Sequence, residues 1–238
     1  MKGLVIIPAY NEEGAVLDTV TDIREKAPEF DVIVINDCST DSTKRILEEN
    51  DVSHINLPMN LGIGGAVQTG YIYAEKNDYD IAVQMDGDGQ HDASYLKDML
   101  SAMKSSGADM VIGSRFIENE GFQSSSLRRI GISFFTGWIR KLTHQTITDP
   151  TSGMRMVNRR IIELFADDYP KDYPEPETVV RILKQGYEIS EVPVAMRARM
   201  SGESSISMRR SVYYMFKVSI ACLMASWSTD MAGKAVKK

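Results

Sequence analysis

Ile81-Ala82-Val83-Gln84-Met85-Asp86-Gly87-Asp88-Gly89-Gln90 is an apolar run that stops abruptly at two carboxylates one residue apart. The run reads as a buried strand. In an extended backbone residues i and i+2 point the same way, so Asp86 and Asp88 would face one hard divalent cation. Such ions take oxygen ligands and share them with substrate phosphates, and Gly87 and Gly89 would let a bulky anion approach the backbone. Asp and Gly are also turn formers, so the stretch alone leaves a plain turn open. Its surroundings decide between the two.

Working outward, short apolar runs recur at Leu4–Pro8, Val32–Asn36, His54–Leu57, Ile81–Met85 and Met110–Gly113. Helix-length amphipathic stretches separate them, at 12–26, 40–49, 63–76 and 93–105. Strands that do not alternate, separated by helices, imply an α/β fold with a mostly parallel sheet covered on both faces. Ligands of such sheets bind at the carboxyl ends of the strands. Pro8-Ala9-Tyr10-Asn11-Glu12, Asn36-Asp37 and Asp86-Gly87-Asp88 each sit at such an end. Three strands thus converge on one crevice, which favours a cation–diphosphate site over a turn.

The 238 residues are 43% hydrophobic, enough for one substantial core. Cys38 and Cys222 are the only cysteines; they form no disulfide framework, and a reducing compartment is expected. The first apolar stretch is too short for a signal peptide, so a cytoplasmic location is expected. The net charge of −6 hides an asymmetry: residues 197–238 carry eight Lys/Arg against two acids, leaving −12 on residues 1–196. No aromatic-interleaved basic patch accompanies the basic end, which argues against nucleic acid and for an anionic lipid surface.

Beyond residue 115 the pattern changes. Glu118–Ser126 reads as a loop and Leu127–Leu142 as a helix carrying Arg128, Arg129, Arg140 and Lys141. Ile161–Phe165 and Pro176–Lys184 read as helical, and Tyr187–Val194 as a strand. Arg209–Trp227 reads as a last helix; Lys217 is the only charge in its apolar part, Ser211–Trp227. That part is at the short limit for a bilayer span, and an amphipathic helix in the membrane interface fits better; a core or dimer helix is the alternative. Two units are expected: a catalytic domain over 1–205 and this C-terminal segment over 206–238.

Several loops carry candidate chemistry. Tyr10 offers a ring face for a base or sugar, while Asn11 could instead cap the first helix. Asp37 could accept from a ribose or a pyrimidine imide. Asn60-Leu61-Gly62-Ile63-Gly64-Gly65-Ala66 could bind phosphate at a helix start or serve close packing. Arg115 directly follows a strand at the active edge, Arg128 and Arg129 flank a helix start, and Asp149 opens an Asp-Pro turn.

Together, Pro8–Glu12, Asn36-Asp37 with Ser39-Thr40-Asp41, Asn60–Gly62, Asp86–His91, Gly113–Phe116 and Asp149–Arg155 resemble the inverting glycosyltransferases of family 2, which have the GT-A fold. The resemblance covers nearly the whole chain and is strongest to the branch that includes dolichyl-phosphate mannose synthase and bacterial polyprenyl-phosphate enzymes. It implies a Rossmann-like sheet and a nucleotide-sugar donor carrying UDP or GDP. Pro8, Ala9, Tyr10, Asn11, Glu12, Asp37, Asp86, Gly87 and Arg199 would bind the nucleotide. Asp86, Asp88 and Gln90 would hold Mg²⁺ or Mn²⁺, with Asp88 counted as catalytic. Gly153 and Glu177, with Glu175 on the same Pro-Glu-Pro-Glu helix entry, would meet the sugar, although the two acids would equally complement the helix dipole. Arg115, Arg128 and Arg129 would meet the phosphate of a polyprenyl phosphate. Where relatives place a lysine this chain has Ser205. Alternatives are transfer to a saccharide hydroxyl with Asp149 as base, a nucleotidyltransferase, or a noncatalytic binding subunit. A homodimer is possible.

Overall fold

The computed structural model describes residues 1–118, 126–172, 174–197 and 215–227, with backbone alone at 126–128. Along the chain lie β1 (Gly3–Ala9), α1 (Val16–Lys26), β2 (Phe30–Asn36), α2 (Thr43–Glu49), β3 (His54–Asn56), α3 (Gly62–Lys76) and β4 (Ile81–Gln84). They are followed by α4 (Tyr95–Ser106), β5 (Met110–Ser114), α5 (Ser126–Thr143), β6 (Arg155–Asn158), α6 (Arg159–Asp167), α7 (Pro174–Lys184) and β7 (Ile189–Pro193). A final helix runs over 215–227.

The strands form one seven-stranded sheet in the order β3-β2-β1-β4-β6-β5-β7. Every pairing is parallel except those of β6, which is antiparallel to both β4 and β5. Both faces are buried, as the non-alternating strands require. Leu4 and Ile6 of β1 belong to a core built with α3, α5, α6 and α7, whereas Val5 and Ile7 belong to one built with α1, α2 and α4. The expected mostly parallel α/β sheet with helices on both faces is therefore observed.

Two local expectations are corrected. Residues 155–158 gave no strand signal, because a four-residue run with Arg155 and Asn158 at its ends has neither alternation nor a continuous apolar character. Its pairing with β4 and β5 supplies the strand. The first helix begins at Val16 rather than residue 12, and Asn11 does not cap it. Asn11 adopts φ 56°, and its Oδ1 accepts from the Thr40 amide at 2.8 Å, stitching the β1 loop to the β2 loop.

Gly64, in the first turn of α3, serves packing. A Cβ on Gly64 would lie 2.1 Å from the Pro170 carbonyl oxygen, so only glycine lets this helix approach that backbone. In the final helix, Val218 and Cys222 join the core beside Phe135 and Ile139 of α5, and burial pushes the Cys222 thiol up to about 12. Its outer face is apolar: Phe216, Ile220, Leu223, Met224 and Trp227 are all exposed, Trp227 by 71%. Lys217 pairs with Asp172 at 2.6 Å. Among the described residues no helix is long and apolar enough to cross a membrane. The expected boundary at 205/206 lies outside the described residues.

Candidate active site

The carboxyl ends of β1, β2, β4 and β5 open on one side of the sheet. At the end of β1, Pro8 and Ala9 are buried in the strand while Tyr10 is 48% exposed. Asp37, just past β2, is held on three sides. Its amide donates to Ala9 O at 2.9 Å, its Oδ1 accepts from the Leu61 amide at 2.7 Å, and its carbonyl accepts from Asn60 Nδ2 at 3.2 Å. The Glu12 amide donates to Thr43 Oγ1 at 3.0 Å. These bonds give two polar loop stretches a fixed shape. Tyr10 and Asp37 both belong to that rim.

The Asp86–Gln90 segment departs from the extended geometry expected for it. β4 ends at Gln84, and residues 87–88 form a turn, so the alternation of a strand does not orient the two carboxylates. Asp88 is 5% exposed, and its Oδ1 accepts from the Gln90 amide at 3.1 Å. The Asp86 side chain is 39% exposed. His91, buried behind it, places Nε2 3.4 Å from Asp86 Oδ2. No cluster of three or more His, Cys, Asp or Glu side chains suited to a cation is present among the described residues.

The residues nevertheless fit a hard cation shared with a diphosphate. One or two carboxylates suffice when phosphate oxygens complete the shell, and the fit is supported by a cradle at Gly153. A Cβ there would lie 2.6 Å from Asp86 Oδ2 and 3.0 Å from Oδ1, so the absent side chain leaves room at the carboxylate. Gly153→Ala is expected to displace Asp86 and lower transfer by about 10²-fold, the cost of a misplacement near 1 Å. Initial rates check this, and circular dichroism confirms an unchanged fold. A wild-type rate would show that the position of Asp86 is immaterial.

The wall opposite is the 148–155 segment. Asp149 is fully buried. Its Oδ2 accepts from Arg115 Nε at 2.6 Å and its Oδ1 from Arg115 Nη2 at 2.7 Å, a bidentate pair. Arg115 is itself 5% exposed and also reaches Thr151 Oγ1 at 3.0 Å. The Nε and Nη2 edge of Arg115, the residue expected to meet an acceptor phosphate, is engaged by Asp149 here. Both oxygens of Asp149, the candidate base, accept from that guanidinium.

Three residues hold this wall. Arg155, 1% exposed, donates to the carbonyls of Ser152, Glu175 and Pro150 at 2.8–2.9 Å and to Thr178 Oγ1 at 2.8 Å. It ties the loop bearing Gly153 to the start of α7. Glu191 of β7 accepts from the Thr148 and Asp149 amides at 2.7 and 3.0 Å. Burial pushes its carboxyl up, opposed by those same amides. Neither role was read from sequence, although an acid inside the apolar strand Ile189–Pro193 was a usable signal.

Glu175 is the third. Burial pushes its carboxyl up, with Arg155 opposing and the charge of Asp86 adding. Glu177, also expected to meet the sugar, has different neighbours. Burial raises it too, but its charged neighbours are Arg181 and Asp168, and it acts on Cys222 of the final helix. Of these two α7 acids, Glu175 alone counts Asp86 among the charges that act on it, and the Gln84 side chain acts on it as well. Arg129 is exposed near the start of α5. The side chain of Arg128, and Arg199 with Ser205, lie outside the described residues.

Comparison with known proteins identifies the family. The profile of Glycosyl transferase family 2 matches residues 4–165. The chain belongs to that family and is a glycosyltransferase, with the GT-A fold. Undecaprenyl-phosphate mannosyltransferase of Micrococcus luteus is 32% identical, over 87% of this chain and 88% of the relative. Polyprenol monophosphomannose synthase of Mycolicibacterium smegmatis is 29% identical, over 91% and 85%. Among solved structures, glucosyl-3-phosphoglycerate synthase of Mycobacterium tuberculosis with Mn²⁺, UDP and phosphoglyceric acid has a TM-score of 0.70 at 18% identity, covering 94% of this chain and 78% of that one.

Proposed function

We propose that this enzyme transfers a sugar from a UDP- or GDP-sugar to a polyprenyl phosphate, with inversion and with Mg²⁺ or Mn²⁺, at the cytoplasmic face of a membrane. The observation that carries the acceptor assignment is the buried Arg115–Asp149 pair. A hydroxyl acceptor needs a positioned base, and the candidate base is occupied. A phosphate monoester, with a second pKa of about 6, arrives largely anionic. The names of the Micrococcus and Mycolicibacterium relatives support the same acceptor class.

In this reading Asp37 and Tyr10 fix the nucleoside at the ends of β1 and β2. Asp86, Asp88 and Gln90 would hold the cation, which when bound neutralises charge developing on the departing diphosphate. Gly153 keeps space at Asp86, and Glu175 and Glu177 are the acids that would meet the sugar. The acceptor oxygen forms the new bond to the anomeric carbon as the bond to the nucleoside diphosphate breaks. Arg115, Arg128 and Arg129 are the candidates to align the acceptor phosphate, the last two at the start of α5. The exposed apolar face of the final helix and the basic C-terminal residues support peripheral contact with an anionic lipid surface; a second copy is the other cover such a face would take.

The test is incubation with a panel of nucleotide sugars, short-chain polyprenyl phosphate or a saccharide acceptor, and Mn²⁺ or EDTA, followed by lipid extraction. Lipid-linked product from one donor, lost in EDTA, is expected. Product on the saccharide alone would overturn the acceptor assignment, and turnover in EDTA would overturn the cation.

A further inference from the structure

On its α1 side the loop bearing Asp86, Asp88 and Gln90 is met by Thr19, whose Oγ1 donates to Gly87 O at 3.4 Å, and is open beyond that contact. A cavity of about 240 Å³ lies there, lined by Thr19, Asp22, Glu25, Gly89, His91 and Arg197. A set of polar tethers centred on Arg197 spans the gap. The Arg197 amide donates to Gln90 O at 2.9 Å, and Gln90 Nε2 donates back to Arg197 O at 3.4 Å. The guanidinium reaches across with Nη2 to Asp92 Oδ2 at 2.6 Å and to Asp22 Oδ1 of α1 at 3.2 Å.

Lys26 closes the square, 2.7 Å from Asp22 and 2.9 Å from Asp92. The second oxygen of Asp22 accepts from the Ala93 amide at 2.9 Å. Two cations thus balance two carboxylates, and together they join α1 to the end of the loop at Asp92 and Ala93. Arg197 is 40% exposed, but Asp22 and Asp92 are only 17% and 24% exposed, so this four-charge network also adds to stability, and the melting temperature separates that contribution from positioning. Position is read from the backbone contact: anchoring Gln90 Nε2 on the Arg197 carbonyl leaves its Oε1 as the atom available to a hard cation, which takes oxygen and not nitrogen.

We propose that Arg197 is a positioning residue for the cation–diphosphate loop, setting that loop's affinity for divalent ions by clamping it to α1. The proposal rests on the assignment of Asp86, Asp88 and Gln90 as the cation-holding residues. Partners of this outer kind typically change metal affinity by about 10–100-fold when removed.

The test compares wild type with Arg197→Met, Arg197→Lys and Asp92→Asn, and uses Mn²⁺ with UDP as the probe. Free Mn²⁺ is followed by electron paramagnetic resonance. Amide exchange at residues 89–91 is measured in the metal-free protein, and the melting temperature is recorded. Arg197→Met should raise the half-saturating Mn²⁺ concentration by about tenfold and speed exchange at those amides, with only a small fall in the melting temperature. Arg197→Lys should recover most of the affinity, and Asp92→Asn should move it in the same direction as Arg197→Met. Unchanged Mn²⁺ saturation in both Arg197→Met and Asp92→Asn would overturn the positioning role, as would a lowered melting temperature with no change in loop exchange. Asp88→Asn separates the two levels: if it retains Mn²⁺ binding, the assignment of the loop itself fails.

Discussion

Asp88→Asn is expected to lower transfer by about two to three orders of magnitude, the range lost when one preorganised electrostatic group is removed from a reacting centre. The substitution is close to isosteric. The amide oxygen of asparagine can still accept from the Gln90 amide, as Asp88 Oδ1 does at 3.1 Å, so the turn should persist. What disappears is the charge, and with it the means to hold a divalent ion against a diphosphate. A binding readout accompanies the kinetic one. A ligand present at a hundred times its dissociation constant stabilises the fold by about 2.7 kcal/mol. Wild type should show that shift with Mn²⁺ and UDP together, and Asp88→Asn should show almost none. A mutant with near-normal turnover would mean that the loop is a structural turn after all.

The second large effect concerns the buried pair. Arg115→Met leaves Asp149 charged, fully buried and without its bidentate partner. Breaking such a pair from one side typically costs about 3–5 kcal/mol. Arg115→Met with Asp149→Leu removes both charges, and chemical denaturation should show most of that loss recovered. Transfer should stay low in the double variant, because the segment from Asp149 to Gly153 loses the anchor that sets it against Asp86. Asp149→Asn separates a base from a brace. A base titrating in the reaction would give the wild type a pH-dependent limb that the variant lacks. A brace gives the two profiles the same shape at different heights, the result expected here.

How far the chain was legible from its residues varied by element. The first five strands and four helices of the nucleotide half were readable because burial on both faces leaves continuous apolar runs, as in Leu4–Pro8 and Ile81–Met85. β6 was not, because its four residues owe their extended form to the pairing with β4 and β5 on either side. Asn11 had the residue type of a helix cap, yet a donor twenty-nine residues away, the Thr40 amide, claimed its side chain. Arg115 and Asp149 were both singled out from sequence, on the right edge of the sheet. Their partnership was missed, since nothing local reveals that residues thirty-four apart share a hydrogen-bonded fork.

By itself the sequence determined the class of the molecule. Apolar runs set the parallel sheet, and carboxylates with glycines after β4 marked a polar loop at its edge; both are local consequences of side-chain chemistry and spacing. The tertiary structure decided which polar groups face the crevice and which are consumed in holding it. It closed Asp149 onto Arg115, set Glu175 rather than Glu177 under the charge of Asp86, laid Gly153 against that carboxylate, and tied Gln90 to Arg197. Each of these depends on segments far apart in the chain meeting in space, and a hydrogen bond's direction and reach exist only once they have met.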